Sequence, residues 1–205
     1  MRLLVATGNE GKVREIRREI ERAELAGVEM ILPRQIGGGP SVNEDQPDFV
    51  GNAVKKARAF ALDTGLLTLA EDSGLCVDAL GGAPGVFSAR YAGEPCDDLA
   101  NNRKLLAALR DVPPARRTAR FVCAAALAHP RATLITMSDQ LEGMIALAPR
   151  GTGGFGYDPL FFVPELGRTT AELSPEEKAR ISHRGKALRR LLQWLKERQS
   201  QFEGS

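Results

Sequence analysis

The run Thr7-Gly8-Asn9-Glu10-Gly11-Lys12 sets a hydroxyl, a carboxamide, a carboxylate and an ammonium between two apolar-patterned stretches. If a strand ends there and a helix begins, the helix leaves free amides at its start. Those amides, with Lys12, suit a phosphate chain. The spacing is not that of a GxxxxGKS/T loop, because two residues separate Gly8 from Gly11 and Val13 follows the lysine. A plain strand–helix turn capped by Asn9 accounts for the same residues.

A second set is acidic: Asn43-Glu44-Asp45 and Glu71-Asp72-Ser73-Gly74. Mg²⁺ takes one or two carboxylates together with phosphate oxygens, so acids at loop ends beside a phosphate cradle are what it needs. Asp72 reads as the carboxyl end of a strand, and solvated caps or turn formers are the alternative. Third, Gly151 to Pro159 holds four glycines in six residues, followed by Tyr157 and Asp158. Such a backbone can approach a flat ligand closely, with Phe155 as a stacking face, or it can be a flexible hairpin loop. Fourth, Lys178 and Ser182-His183-Arg184 lie on a basic segment. From Ser174 to Gln199 there are eight Lys/Arg against three Glu, most of which a solvated helix face would explain. His183 has one companion, His129, which precedes a proline and reads as a loop residue. No spacing supports a histidine metal site, a Ser-His-Asp triad, GxSxG or HExxH.

The elements that must position these residues alternate. Arg2 to Ala6 reads as a buried strand. A helix from about Lys12 to Leu25 follows, with Val13, Ile16 and Ile20 on one face. Val28 to Leu32 is a second strand, 36–48 a loop, Phe49 to Leu62 a helix and Leu66 to Ala70 a strand. Gly81 to Gly85 is irregular and Asp97 to Leu109 helical. Thr118 to Ala128 and Ala132 to Met137 are adjacent strands, the second resuming at Leu141 to Ile145. After the Gly151–Pro159 loop comes Leu160 to Val163. Ser174-Pro175-Glu176-Glu177 is a capping box with proline at the first helical position, and helix runs on to about Arg198 with a break near Ser182. Interleaved strands and helices make the class α/β, with a mixed sheet.

Composition narrows the function. Two hundred and five residues are enough for one core-bearing domain, spanning 1–205. A net charge of +2 gives no global field for a nucleic-acid backbone. The longest apolar run, Phe121 to Ala128, is eight residues, too short to cross a membrane, and Leu3 to Ala6 is too short for a signal-peptide core. Three widely spaced cysteines, Cys76, Cys96 and Cys123, form no CxxC or zinc pattern, and a reducing cytoplasm is the expected setting. Buried packing is the default for Cys76 and Cys123. Trp194 and Phe87 can serve core or interface equally.

Several blocks are longer than chance allows: Leu4 to Asn9 with Lys12; Phe49, Asn52-Ala53 and Lys56-Ala57; Asp72 to Leu75; Gly81 to Val86; Ser88 to Tyr91; Gly151 to Phe162; and Ser182 to Ala187. In these blocks, over almost the whole chain, it resembles the inosine triphosphate pyrophosphatase family, the bacterial dITP/XTP pyrophosphatases in particular. The resemblance implies an elongated mixed β-sheet flanked by helices, with two lobes around a central cleft. It implies a homodimer acting on a small nucleotide, with no nucleic-acid or membrane partner. The implied reaction is Mg²⁺-dependent hydrolysis of ITP, dITP or XTP at the α-phosphorus to monophosphate and pyrophosphate, which cleanses the pool of deaminated purines. Residue by residue, it puts Thr7, Gly8, Asn9, Lys12, Lys56 and Ser73 on the phosphates. Glu44 and Asp72 become the Mg²⁺ carboxylates, with Asp72 also the proton acceptor. Phe155, Gly156, Tyr157, Asp158, Lys178, His183 and Arg184 fall on the base.

Three positions depart from the family pattern. Asn43-Glu44-Asp45 stands where many relatives carry two adjacent acids, which leaves Glu44 or a neighbour as second ligand. Gly51 replaces a common glutamate, and Glu71 stands where aspartate is frequent. Glu71 is also the alternative base, since one carboxylate is not easily both tight ligand and free base. Selectivity would follow from C6: hypoxanthine and xanthine offer an acceptor oxygen there and adenine a donor, so donors from Arg184 and backbone amides near His183 would reject ATP. A non-catalytic nucleotide-binding or regulatory module is one rival reading, and a pyrophosphatase aimed at other modified or canonical nucleotides is the nearer one.

Overall fold

Apolar residues on both faces of Arg2–Val5 (β1) mark a strand covered on both sides, and Leu3, Leu4 and Val5 are buried. β1 pairs in parallel with Glu29–Ile31 (β2) and with Leu67–Val77 (β3). Between β1 and β2 runs Glu10–Ala23 (α1), capped by Asn9, whose Oδ1 accepts from the Lys12 amide at 3.0 Å. Val13, Ile16 and Ile20 face inward as their spacing predicts. The remaining elements are Phe49–Thr64 (α2), Asp98–Ala108 (α3), Thr118–His129 (β4), Ala132–Ile145 (β5), Phe161–Val163 (β6), Arg168–Thr169 (β7), Pro175–Ile181 (α4) and His183–Lys196 (α5). They form one seven-stranded sheet in the order β2-β1-β3-β4-β5-β6-β7. β5, β6 and β7 pair antiparallel. β4 and β5 are neighbours joined by Pro130 and Arg131 alone, a link that only an antiparallel hairpin allows. The sheet is therefore mixed, as expected. This computed structural model describes residues 1–202.

The chain divides into two compact units: Met1–Asp72, Cys123–Asp139 and the chain from Arg184 in the first, Ser73–Val122 and Gln140–His183 in the second. The first has a core of Leu3, Val5, Ile16, Leu127, Leu188 and Leu191, among others. A buried leucine of this kind is worth about 2–5 kcal/mol against alanine. A separate layer of Ala53, Ala57 and Ala61 on α2 packs on Ala6, Ala70, Ala124 and Ala126. Small residues on both surfaces bring α2 close to the sheet, which carries Asn52 and Lys56 to β3. The second unit has its own core, built on Leu75, Leu105, Leu109, Phe121, Tyr157 and Phe161.

Three expectations are corrected. The strand read as Leu66 to Ala70 continues to Val77, so Glu71 and Asp72 lie in mid-strand, not at its end. The strand carries them because Lys12 and Asn52 meet the two carboxylates. β5 is continuous across 138–140, where Asp139 reaches Lys186 and Arg190 at 3.9 and 3.5 Å. His129 closes β4 and is not a loop residue. The break near Ser182 is real: Ser182 is extended between α4 and α5. Cys123 is buried, Cys76 half-buried and Cys96 exposed, all as free thiols. Trp194 packs on the first core, while Phe87 is 57% exposed. Among the described residues, no helix is long and apolar enough to cross a membrane.

Candidate active site

In the first unit, β3 presents Glu71 and Asp72, and α1 and α2 present cations and amides to them. The Glu71 side chain is fully enclosed and pairs with Lys12 Nζ at 2.9 Å. Arg184 Nε lies 3.6 Å from the same carboxylate, and the Cys123 thiol donates to its other oxygen at 3.5 Å. Burial alone would push the Glu71 carboxyl up, but Arg184, Lys12 and Lys56 outweigh it and hold the group far below the usual carboxylate range. Arg184 is buried as well. Burial works against its charge, yet Glu71 and Glu15 more than restore it, and Nη1 forms an ion pair with Glu15.

Asp72 behaves differently. It is 4% exposed, and Asn52 Nδ2 donates to its Oδ2 at 3.0 Å. Burial raises its pKa, Asn52 and Lys12 lower it in part, and the charge of Glu44 pushes it further up. Asn52 also accepts from the Gln46 amide at 3.0 Å, which ties the loop carrying Glu44 and Asp45 to the strand. Lys56 forms an ion pair with Glu44, and its Nζ lies 3.4 Å from the Glu71 carbonyl. Asp45 is engaged instead by Lys55 at 2.7 Å on the surface. Gly51 has a steric reason: a Cβ there would sit 2.8 Å from Gln46 Cβ. Thr7 Oγ1 accepts from the Asn9 amide at 3.2 Å, and a Cβ at Gly8 would meet nothing within 4 Å, so the turn is open on that side.

In the second unit, the carboxylate of Asp158 organises the glycine-rich loop. It is 2% exposed; Oδ2 accepts from Lys178 Nζ at 2.5 Å and from the Phe155 amide at 2.8 Å, and Oδ1 accepts from Thr170 Oγ1 at 2.8 Å. A Cβ at Gly154 would fall 1.9 Å from Asp158 Oδ2, and its φ is +74°, so glycine is required there. Lys178 Nζ also lies 5.0 Å from the centroid of the Phe155 ring. Tyr157 is buried with its hydroxyl donating to the Ser88 carbonyl at 2.8 Å, and burial pushes its pKa well up. His183 stacks on Phe121 with ring centroids 4.8 Å apart. Ser73 lies on β3, half-buried.

The sequence matches the Ham1 family over residues 3–194. The chain belongs to the Ham1 family. It is similar to the dITP/XTP pyrophosphatase of Desulforamulus reducens, 51% identical with 95% of this chain and 96% of that protein covered. The dITP/XTP pyrophosphatase of Geobacter sulfurreducens is 53% identical, with 91% and 92% covered. Among solved structures, a HAM1 protein from Coxiella burnetii superposes with a TM-score of 0.86 at 42% identity, covering 96% of this chain and 99% of that one.

The structure thus gathers Lys12, Lys56, Glu44 and Asp72 in the first unit of this Ham1 protein, and Phe155, Asp158 and Lys178 in the second. Arg184, expected with the base-binding residues, belongs to the first unit, and its guanidinium faces Glu15 and Glu71. Sequence reasoning gave no role to Asn52, Glu15, Cys123 or Thr170. Asn52 stood inside a recognisable block, and its helical spacing from Lys56 put both on one face of α2. Nothing in the sequence singles out Thr170. No group of three or more His, Cys, Asp or Glu side chains able to hold a metal occurs among the described residues. Glu44 and Asp72 supply two carboxylates, a donor set that fits Mg²⁺ when phosphate oxygens complete its shell.

Proposed function

We propose that the chain hydrolyses non-canonical purine nucleoside triphosphates, dITP, ITP and XTP, to the monophosphate and pyrophosphate. The observation that carries this reading is the junction of α1, α2 and β3. There Lys12 and Lys56, two cations able to take a polyphosphate, meet Glu44 and Asp72, two acids able to share a divalent ion with it. The names of the relatives supply the substrate class.

Glu44 and Asp72 would hold Mg²⁺, which supplies neutralising charge to the phosphate oxygens when bound. The open turn of Thr7, Gly8 and Asn9 receives phosphate oxygens, and Ser73 on β3 is the remaining phosphate-binding candidate. Lys12 and Lys56 exchange their carboxylate partners for the pyrophosphate leaving group. Water attacks the α-phosphorus, the bond to the bridging oxygen breaks, and the water's proton passes to a carboxylate. Asp72 serves as the base where Glu44 keeps the ion, since Glu71 is held ionised by Arg184 and Lys12 and takes a proton poorly. Asn52 keeps the Asp72 carboxylate oriented.

The loop from Phe155 to Asp158 takes the purine, with Phe155 on the ring face and His183 at the edge of the same unit. Lys178, paired with Asp158 and set over the Phe155 ring, is a cationic donor of this loop, which suits the C6 oxygen of hypoxanthine or xanthine. Adenine would set donor against donor, a mismatch that can reject ~10⁴-fold. A homodimer belongs to the same reading, with the exposed Phe87 and Leu99 as apolar surface for it, and sedimentation velocity tests it.

Phosphorus NMR with Mg²⁺ and dITP, with ATP and GTP in parallel, is the deciding experiment. Pyrophosphate and dIMP from dITP are expected, with little from ATP, while GTP shares the C6 oxygen and is rejected only if its 2-amino group is excluded. Orthophosphate with dIDP would move the attack to the γ-phosphorus, and saturable binding without turnover would leave a binding module.

A further inference from the structure

The base-recognition loop is held from outside by two residues of α3 with no assigned role. Asp98 and Asn102 are four apart, so their side chains emerge from one helix face. Asp98 Oδ2 accepts from the Gly156 amide at 2.7 Å, and Asn102 Nδ2 donates to the Gly156 carbonyl at 2.9 Å. That amide and carbonyl belong to the two peptide planes on either side of the Gly156 Cα, and φ there is +62°. Fixing both planes therefore fixes the turn that aims Phe155 one way and Tyr157 the other.

The clamp is anchored in turn. Asn101, also buried, donates to the Ala89 carbonyl at 2.9 Å and accepts from the Ala92 amide at 2.7 Å. Tyr157 closes the frame through Ser88. Asn102 is 7% exposed, and its Oδ1 is buried with no hydrogen-bond partner. An unmet buried acceptor is unfavourable, and Asn102 tolerates it because the Gly156 carbonyl needs the donor on the other arm of the carboxamide.

We infer that Asp98 and Asn102 are positioning residues that set base recognition by holding both peptides of Gly156, and so the pose of Phe155. The inference rests on the reading that this loop takes the purine. Two measurements separate the clamp from that reading. The first is amide hydrogen exchange at Gly156, followed by NMR in the full chain. It should speed up about tenfold in Asp98→Ala, whose side chain is exposed and whose loss the fold tolerates. An unchanged rate overturns the clamp whether or not the protein turns over any nucleotide.

The second is steady-state kinetics with dITP and dATP. Asp98→Ala and Asn102→Asp, which turns an acceptor toward the Gly156 carbonyl, should each raise KM for dITP about five- to tenfold, the effect of one lost hydrogen bond. The preference for dITP over dATP should fall by a similar factor. kcat should stay within about twofold, as should inhibition by inorganic pyrophosphate, which has no base to place. Asp98→Asn keeps an acceptor oxygen and should return KM toward wild type. Unchanged KM and preference in folded variants, or equal loss of pyrophosphate affinity, would overturn the assignment. Wild-type protein inert toward dITP would instead sink the proposed function, with the exchange rate still judging the clamp.

Discussion

The two units solve the same problem, holding polar groups in a dry interior, by opposite means. In the first, charges are shared among many: Glu71 is met by Lys12, Arg184 and Cys123, and Arg184 by Glu71 and Glu15. In the second there is one buried pair among the described residues, Asp158 with Lys178, and hydrogen bonds to backbone hold the loop. A shared network can change partners when a highly charged ligand arrives, because no ion is left alone. A single pair with backbone clamps holds one shape, which is what discrimination between flat bases needs.

The sharpest way to break this contrast is Asp72→Asn. Turnover of dITP, followed by phosphorus NMR, should fall on the order of 10²- to 10⁴-fold, the range of a lost general base. Nucleotide binding should survive. Stability should move the other way. The folded pKa of Asp72 is raised, so the native state binds its proton more tightly than the unfolded chain, and stability declines as pH climbs above the ordinary value of 3.8. At neutral pH the ionised group therefore costs stability, and the asparagine variant should melt higher by calorimetry. Near-normal turnover would move the base elsewhere.

Next in size is a pair of lysine truncations read by urea unfolding. Lys178→Ala leaves Asp158 as a buried carboxylate without its cation and should cost about 3–5 kcal/mol. Lys12→Ala leaves Glu71 still facing Arg184 and should cost less, about 1–3 kcal/mol. Equal losses would mean that the first network is no more redundant than the second pair.

The smallest effect is on the acid side. Glu71 has a folded pKa below its ordinary 4.5, so its contribution is fully present above that value and drains away as pH falls below it. Glu71→Gln should lose that contribution at neutral pH and flatten the fall in melting temperature below about pH 4.5. An unchanged acid slope would show that the network does not depend on this carboxylate.

These contrasts also mark how far the sequence could be read. α1 was legible because Val13, Ile16 and Ile20 repeat on one face, and the start of α4 because Ser174 to Glu177 is a capping box. Gly151 to Pro159 was legible as an irregular loop. The middle of β3 was not: Glu-Asp-Ser-Gly reads as a turn until one knows that Lys12 and Asn52 neutralise it from α1 and α2. The location of Arg184 was hidden for the same reason, since its partner Glu15 is 169 positions away. The clamp on Gly156 was equally hidden, because Asp98 and Asn102 look like ordinary helix-start and helix-surface residues. Local pattern fixes elements; partners far along the chain decide which charges those elements can bury.

The pairing of Glu71 with Arg184 also has a consequence for synthesis. The first unit is assembled from the beginning, the middle and the end of the chain. A ribosome adding ~5–20 residues per second adds Glu71 roughly 6 to 23 seconds before Arg184. Throughout that interval the nascent β3 has a carboxylate whose guanidinium partner does not yet exist, and α5, with Leu188 and Leu191, is missing from the core. The amino-terminal segment of the first unit therefore lacks part of its core until α5 has been made.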